Sequence, residues 1–304
     1  MRSRLLLNIV LLALVGALSM IVYHSTDEGA DKVTLLSSLA PAAVNDIRIR
    51  HNQRDTVLHK QRDNWVLTQP LQINANAFRI DTLLKLLTVA SQADYDVAGL
   101  DLSKYGLDQP ATLVRFNDVE IAFGISNPVN GLRYVRIGER MHLIDDSFYP
   151  LLSAEIGALV ARELLPPDAD ISKLVLPKMT LSRNADGSWS SDGDAGTDAI
   201  RETLDNWKHV QAFGVHNYMQ RKSLARIEVY LGDEPEPLRF VVTDTDPWLI
   251  IARPALKLEY HFNLEAYDAL LRPGVKKEPP ADIPAQLREE LEDPANTDVA
   301  EPGG

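Results

Sequence analysis

The longest uninterrupted run of hydrophobic residues lies at the beginning of the chain. It begins at Leu5, ends at Tyr23, contains no charged residue and follows Arg2 and Arg4. As a helix it would be roughly 28 Å long, which matches a bilayer core about 30 Å thick. Because basic residues precede the run and acidic residues follow it, we predict a single-pass anchor over residues 1–23, with the body outside the cytoplasm. A cleaved signal peptide is the alternative, but the run is long for one and no Ala-x-Ala site follows.

Behind the predicted anchor, the hydrophobic pattern takes on the periods of strands and helices. Residues 24–44 show little periodicity and are predicted to form a stalk. Alternating residues around Ile47 and Val57 then indicate short strands. Further on, hydrophobic residues recur at i, i+3, i+4 and i+7, the spacing of one helix face. That face consists of Ile80, Leu83, Leu84 and Leu87. We expect this helix, capped by Asn74 or Asn76, to cover one face of a sheet.

A turn from Lys104 to Pro110 precedes the next set of strands. Gly106 permits a positive φ there, and Pro110 has a fixed φ. Four segments with alternating hydrophobic residues follow, and one antiparallel sheet is the simplest arrangement for them. Residues 153–165 are predicted to form a helix that stops at the pair of prolines 166–167, where we place a domain boundary.

The same order of patterns recurs after the two prolines. A turn followed by Trp189, a helix that includes Trp207, several strands and a closing tyrosine match the first half in sequence order. We therefore predict an α+β fold made of two tandem repeats, residues 45–166 and 167–273, each an antiparallel sheet covered by a helix. Residues 274–304 are acidic and rich in proline, and are predicted to be a disordered tail that is either an interaction arm or a solvated end.

Composition and missing motifs narrow the classes of function. A formal net charge of −12 over 304 residues argues against binding to nucleic acid. The absence of cysteine excludes disulfides, thiolate nucleophiles and Cys-ligated metals. The histidines and the acidic residues between 186 and 198 lack the spacing of zinc or calcium sites, and the common hydrolase, phosphate-loop and dinucleotide motifs are missing. We predict no cofactor, no metal and no catalytic residue, although two carboxylates that meet only in space would escape this search.

One group of residues is a candidate for contact with an anionic group. Arg133 and Arg136 flank Tyr134 next to a turn at Asn130 and Gly131. Two guanidinium groups at this spacing could bind a carboxylate or a phosphate. The alternative is that these charges lie on the edge of a hairpin and oppose aggregation.

Several of these segments resemble the bacterial family named domain of unknown function 4340. They are the tryptophan after a short pair of strands, the turn from Lys104 to Pro110, the strand end Phe123-Gly124-Ile125, and residues 133–136. The resemblance extends over roughly residues 47–165 and more weakly over the second half. It implies a location in the cell envelope and, for some members, an association with ABC-type transport systems of the gliding-motility kind.

The combined pattern predicts a single-pass accessory or interaction protein of the cytoplasmic membrane, with its body in the periplasm. Its partner would be a transporter or another membrane complex of the envelope. A module that binds a small ligand or glycan in a groove between the repeats is the first alternative. An envelope hydrolase with carboxylates assembled in space is the second alternative.

Overall fold

The structure, a computed structural model, describes residues 14–17, 19–20 and 34–275. Within the predicted anchor, residues 14–17 and 19–20 are helical and exposed. In the described part of the chain, no helix is both long enough and apolar enough to cross a membrane. The rest of the predicted anchor, and the predicted tail from residue 276 onward, lie outside the described residues, so both stay predictions.

The chain divides into two compact units, Met1–Ala154 and Glu155–Gly304. The first unit contains a nine-stranded sheet in which all pairs of neighbours are antiparallel. Its strands are β1 (Asp46–His51), β2 (Arg54–Gln61), β3 (Asn64–Gln69), β4 (Ile73–Asn74), β5 (Ala93–Asp96), β6 (Thr112–Phe116), β7 (Val119–Ser126), β8 (Arg133–Ile137) and β9 (Arg140–Ile144). Its helices are α1 (Ala77–Lys85) and α2 (Tyr149–Ser153). The order across the sheet is β4-β3-β2-β1-β6-β7-β8-β9-β5.

Helix α1 forms where the periodicity predicts it. The side chain of Asn76 accepts a hydrogen bond from the backbone N–H of Arg79 at 3.2 Å, so Asn76 is the N-cap. Ile80 and Leu83 are fully buried, whereas Phe78 is 70% exposed. The hydrophobic face of the helix therefore packs inward, as its spacing indicates.

The second unit contains an eight-stranded antiparallel sheet. Its strands are β10 (Ile171–Val175), β11 (Thr180–Arg183), β12 (Trp189–Ser191), β13 (Gly214–Asn217), β14 (Ala225–Leu231), β15 (Leu238–Asp244), β16 (Leu249–Arg253) and β17 (Leu258–Phe262). Its helices are α3 (Thr197–His209) and α4 (Ala266–Leu271). The order is β12-β11-β10-β14-β15-β16-β17-β13, which corresponds strand by strand to the first sheet without β4. The fold is thus α+β, with two antiparallel sheets and few helices.

Trp207 connects α3 to the sheet and to α4. Its side chain is fully buried, and its ring meets that of Phe240 in β15 edge to face at 5.4 Å. The indole Nε1–H donates a hydrogen bond to the backbone carbonyl of Leu270 at 2.9 Å. The core of the second unit therefore lies between α3, α4 and the face of the sheet that carries Phe240.

The predicted helix over residues 153–165 is wrong. Helix α2 ends at Ser153, and only a 3-10 turn at Ile156–Leu159 follows. Ala154 and Glu155 are extended, with ψ of 166° and 158°. Gly157 then lies so close to β13 that a Cβ atom would stand 2.1 Å from the carbonyl oxygen of Val215. This backbone contact keeps the segment in the irregular conformation, and the units divide after Ala154 and not at the prolines.

Candidate functional site

Arg133, the first residue of the predicted anion contact, is held inside the first unit. Its side chain is only 11% exposed and forms a two-pronged ion pair with the carboxylate of Asp146. The Nη1 atom donates to the carbonyl oxygen of Gly124 at 2.5 Å, and the guanidinium carbon lies 3.6 Å from the ring centre of Tyr149. The three nitrogen atoms of the guanidinium group and one of its two faces are therefore in contact with the protein itself.

Tyr134 and Arg136 lie on the other face of the same strand. The pairing of β8 with β9 is regular, so side chains alternate between the two faces along β8. Tyr134 packs edge to face against Tyr105 at 4.9 Å, next to a small cluster of buried residues. Arg136 is half-buried and forms no ion pair or hydrogen bond through its side chain with any residue in the described part of the chain. The structure therefore separates Arg133 from Arg136 and does not bring the two arginines to one ligand.

The segments that resemble the family contact one another in the first unit. The turn after Tyr105 lies against the strand end that contains Gly124 and Ile125. A Cβ atom on Gly124 would stand 2.1 Å from the carbonyl oxygen of Tyr105, and one on Gly106 would stand 2.9 Å from the side chain of Ile125. Gly106 also has a φ of 67°, which favours glycine. The absence of a side chain at the two glycines thus allows the turn to pack closely on the sheet.

A buried charged network lies on the second sheet. The side chain of Glu259 in β17 is 1% exposed, and Oε1 accepts hydrogen bonds from Arg221 Nη1 at 2.8 Å and His261 Nε2 at 2.9 Å. Oε2 accepts one from the backbone N–H of Met219 at 3.0 Å. Burial opposes ionisation, but these three donors outweigh it and lower the pKa of Glu259. We call Glu259, Arg221 and His261 the Glu259 network.

Two exposed aromatic residues stand beside this network. Phe213 precedes β13 and Trp248 precedes β16; they are 46% and 47% exposed, and their rings meet edge to face at 5.4 Å. Phe213 also lies 6.1 Å from the ring of His261, and its backbone N–H donates to the carbonyl of His261 at 2.9 Å. We call Phe213 and Trp248 the aromatic pair. Of the four tryptophans, Trp65 and Trp207 are buried, whereas Trp248 is 47% exposed.

A cavity lies in the second unit, between β14, β15 and the turn after β16. It has a volume of about 430 Å³ and mainly apolar walls. Arg253 lines it, half-buried, with its guanidinium carbon 5.6 Å from the ring centre of Phe240. Burial lowers the pKa of Arg253, and its side chain has no ion pair or hydrogen bond within the described residues. We call this space the Arg253 cavity.

Of the acidic residues from 186 to 198, Asp186, Asp192 and Asp194 lie in turns or bends and Asp198 lies in the first turn of α3. Asp186 accepts a hydrogen bond from the backbone N–H of Ser188 at 2.9 Å, and Asp192 accepts one from Thr180 at 2.6 Å. Across residues 34–275 and the short described helix, no group of three or more histidine or acidic side chains is arranged to hold a metal ion. These aspartates therefore act as local hydrogen-bond acceptors.

A family model described as Domain of unknown function (DUF4340) matches residues 65–240, more than half of the chain. The chain belongs to the DUF4340 family. In this DUF4340 protein the matched region runs from β3 to β15 and so includes parts of both units. Trp248, Arg253 and Glu259 lie beyond it. No curated protein and no solved structure matches the chain.

Proposed function

We propose that this DUF4340 protein is a single-pass accessory protein of the cytoplasmic membrane, whose extracytoplasmic body binds another envelope protein. The uncharged run over residues 5–23, with basic residues before it and acidic residues after it, supports the anchor and its orientation. Residues 14–17 and 19–20 are helical, and Leu14, Val15 and Met20 are more than half exposed. Apolar side chains exposed on a helix are suited to lipid.

The body is best explained as a duplication. Apart from β4, the two sheets have the same order of strands. Along the chain of each unit, a helix (α1 or α3) lies between the third strand and the strand that forms the far edge of the sheet. Two copies of one scaffold can differ in the surface that each presents. A site in one unit therefore does not require an equivalent in the other.

The aromatic pair is the observation that favours a protein partner. Aromatic side chains are enriched at the centres of protein interfaces, where a few of them supply much of the binding energy. Phe213 and Trp248 stand in contact with each other and next to His261, which Glu259 holds in place. Because these contacts hold the two rings in place, less side-chain conformational entropy is lost when a partner binds. The chain's net charge of −12 disfavours nucleic acid as that partner.

Photo-crosslinking in native membranes tests the partner. A photoreactive amino acid is placed at position 248 of the full-length protein and, as the control, at position 78, where Phe78 is also exposed but lies in the other unit. We expect position 248 to give one dominant adduct with a membrane protein and position 78 to give none. The same adducts at both positions, or none at position 248, would contradict the assignment.

The orientation has an independent test, because the chain contains no cysteine. A single cysteine is introduced at Ser3 or at the exposed Ser190. In intact spheroplasts, a maleimide that does not cross membranes should label Ser190→Cys and spare Ser3→Cys until the cells are lysed. Labelling of Ser3→Cys without lysis would reverse the proposed topology.

A further inference from the structure

Two arginines stand side by side on the first sheet, on the face opposite the core. Ile47 and Ile49 of β1 are buried, so Arg48 between them points to the other face. Arg48 pairs with Arg115 of β6, which places the two side chains directly opposite each other. Like charges in this position destabilise a sheet. The stability of the fold therefore gives no reason for this pair.

The second unit has the same position without the repulsion. Arg48 lies four positions before the two-residue turn at 52–53, and Lys173 of β10 lies four positions before the two-residue turn at 177–178. Lys173 pairs with Tyr230 of β14, and its Nζ atom lies 5.4 Å from the centre of the tyrosine ring. This cation–π contact is favourable. The duplicated scaffold thus accepts a compatible pair here, whereas the first unit has two arginines.

The two arginines line an open cleft of about 170 Å³ together with Arg50. Directly paired residues lie on the same face of a sheet. Arg50 pairs with Asp55, and Arg115 pairs with both Arg48 and Glu120, so all these charged groups share one face. The three arginine side chains are 49–61% exposed. A ligand from solution can therefore reach them.

Each of these arginines is bound by the protein through one nitrogen only. The bonds run from Arg48 Nε to Asp46 at 3.1 Å, from Arg50 Nε to Asp55 at 2.8 Å, and from Arg115 Nη2 to Glu120 at 2.9 Å. By contrast, Arg183 bonds both carboxylate oxygens of Asp170, at 2.7 and 3.1 Å. The other guanidinium nitrogens of the three arginines form no hydrogen bond within the described residues. Their N–H groups are available to a ligand.

We propose that this cleft, which we call the Arg48 cleft, binds the phosphate group of a monoester. Guanidinium groups bind phosphate oxygens in pairs, and the two negative charges of the group would offset the repulsion between Arg48 and Arg115. The volume of about 170 Å³ is below the roughly 300–1,000 Å³ usual for whole small ligands, so the rest of the molecule stays outside. This inference does not depend on the proposed protein partner, because the Arg48 cleft and the aromatic pair lie in different units.

Phosphorus NMR titration of the full-length protein in maltoside micelles tests the proposal, because this detergent contains no phosphorus. The probes are methyl phosphate, dioctanoyl phosphatidic acid and dioctanoyl phosphatidylcholine, at pH 8, where a monoester carries two charges. We expect a saturable change in the signal of at least one monoester and none in that of phosphatidylcholine, which has no net charge. The monoester that binds more tightly identifies the source of the group as a soluble ester or a lipid headgroup.

Arg115→Tyr is the most informative variant, because it introduces the residue that the second unit has at this position. It should weaken binding about tenfold to a hundredfold, which corresponds to the loss of a hydrogen-bonded charge. It should nevertheless unfold at or above the native temperature, because it removes the like-charge pair. Arg48→Met should weaken binding to a similar extent. Lys173→Met removes a positive charge from the equivalent position of the second unit and should bind like the native protein.

Four results would overturn the proposal. They are the absence of a saturable change with both monoesters, an equal change with phosphatidylcholine, native binding by Arg115→Tyr and Arg48→Met, and equal weakening by Lys173→Met. Thermal unfolding shows that each variant is folded. An unfolding temperature of Arg115→Tyr well below the native value would show that the pair of arginines serves the fold, and would also contradict the proposal.

Discussion

Replacing Glu259 by glutamine should destabilise the second unit by about 3 kcal/mol at neutral pH. Removal of one partner from a buried ion pair typically costs about 3–5 kcal/mol, because the other charge stays behind without compensation. We expect the lower end of that range, since the side chain of Arg221 is 30% exposed and can regain water. For a unit of this size, the unfolding temperature should fall by about 6–12 °C.

The effect should depend on pH in a defined direction. The hydrogen bonds from Met219, His261 and Arg221 lower the pKa of Glu259 in the folded state, against the effect of burial. Such a group stabilises the fold fully above its ordinary pKa of about 4.3 and loses this contribution as the pH falls through the lowered value. The native protein should therefore approach Glu259→Gln in stability as the solution is acidified below about pH 4.

Thermal unfolding of the full-length protein in detergent, followed by tryptophan fluorescence, measures both effects. Glu236→Gln is the matched control, because Glu236 is paired with Arg239 but is 80% exposed. Ion pairs at such a surface add little stability, so the control should unfold like the native protein. A Glu259→Gln variant as stable as the native protein at pH 7, or a difference that persists unchanged at pH 3, would refute the reasoning.

Three other substitutions have expected effects on stability. Trp207→Phe leaves the buried carbonyl of Leu270 without its donor and should cost about 1–3 kcal/mol. Gly124→Ala places a Cβ atom against the carbonyl of Tyr105 and should cost about 1–3 kcal/mol or more through overpacking. Arg133→Met breaks a largely buried ion pair and should cost about 3 kcal/mol. Urea unfolding of the purified protein measures all three.

Each of these substitutions has a matched control in the same chain. Trp189→Phe changes a half-buried tryptophan, Gly193→Ala adds a Cβ atom whose nearest neighbour is the flexible end of the Met179 side chain at 3.3 Å, and Arg201→Met removes an exposed charge. These controls should stay within about 0.5 kcal/mol of the native protein. A variant that shifts no more than its control would show that the corresponding contact contributes nothing to stability.

Periodicity was sufficient to predict the α+β class and the central elements. The face formed by Ile80 and Leu83 in α1 is fully buried. Hydrophobic residues spaced three and four positions apart form a single apolar face, and this is the face with which the helix packs on the core. The edge strands β5 and β13 escape prediction. Three of the four residues in β5 are exposed, so the strand has no hydrophobic alternation and is held by backbone pairing with β9.

Features formed by segments that lie far apart in the chain could not be predicted from the sequence. The alternation of side chains along β17 predicts that Glu259 faces solvent, yet residues around Met219 and Arg221 cover it. The Arg253 cavity likewise combines residues from three strands and the turn that follows β16. The separation of Arg133 from Arg136, in contrast, could have been predicted from the sequence. Two residues that are three positions apart in a strand face opposite sides of the sheet.

In each unit, the strand at one edge of the sheet is synthesised well before the strand with which it pairs. β5 pairs with β9, and β13 pairs with β17, with three other strands between the partners in the chain. During translation neither edge can form until the last strand has left the ribosome. A stop codon before Arg140 would therefore remove two strands from the first sheet, because β5 would lose its partner. A chain that has passed residue 154 can complete its first unit while the second is still being made.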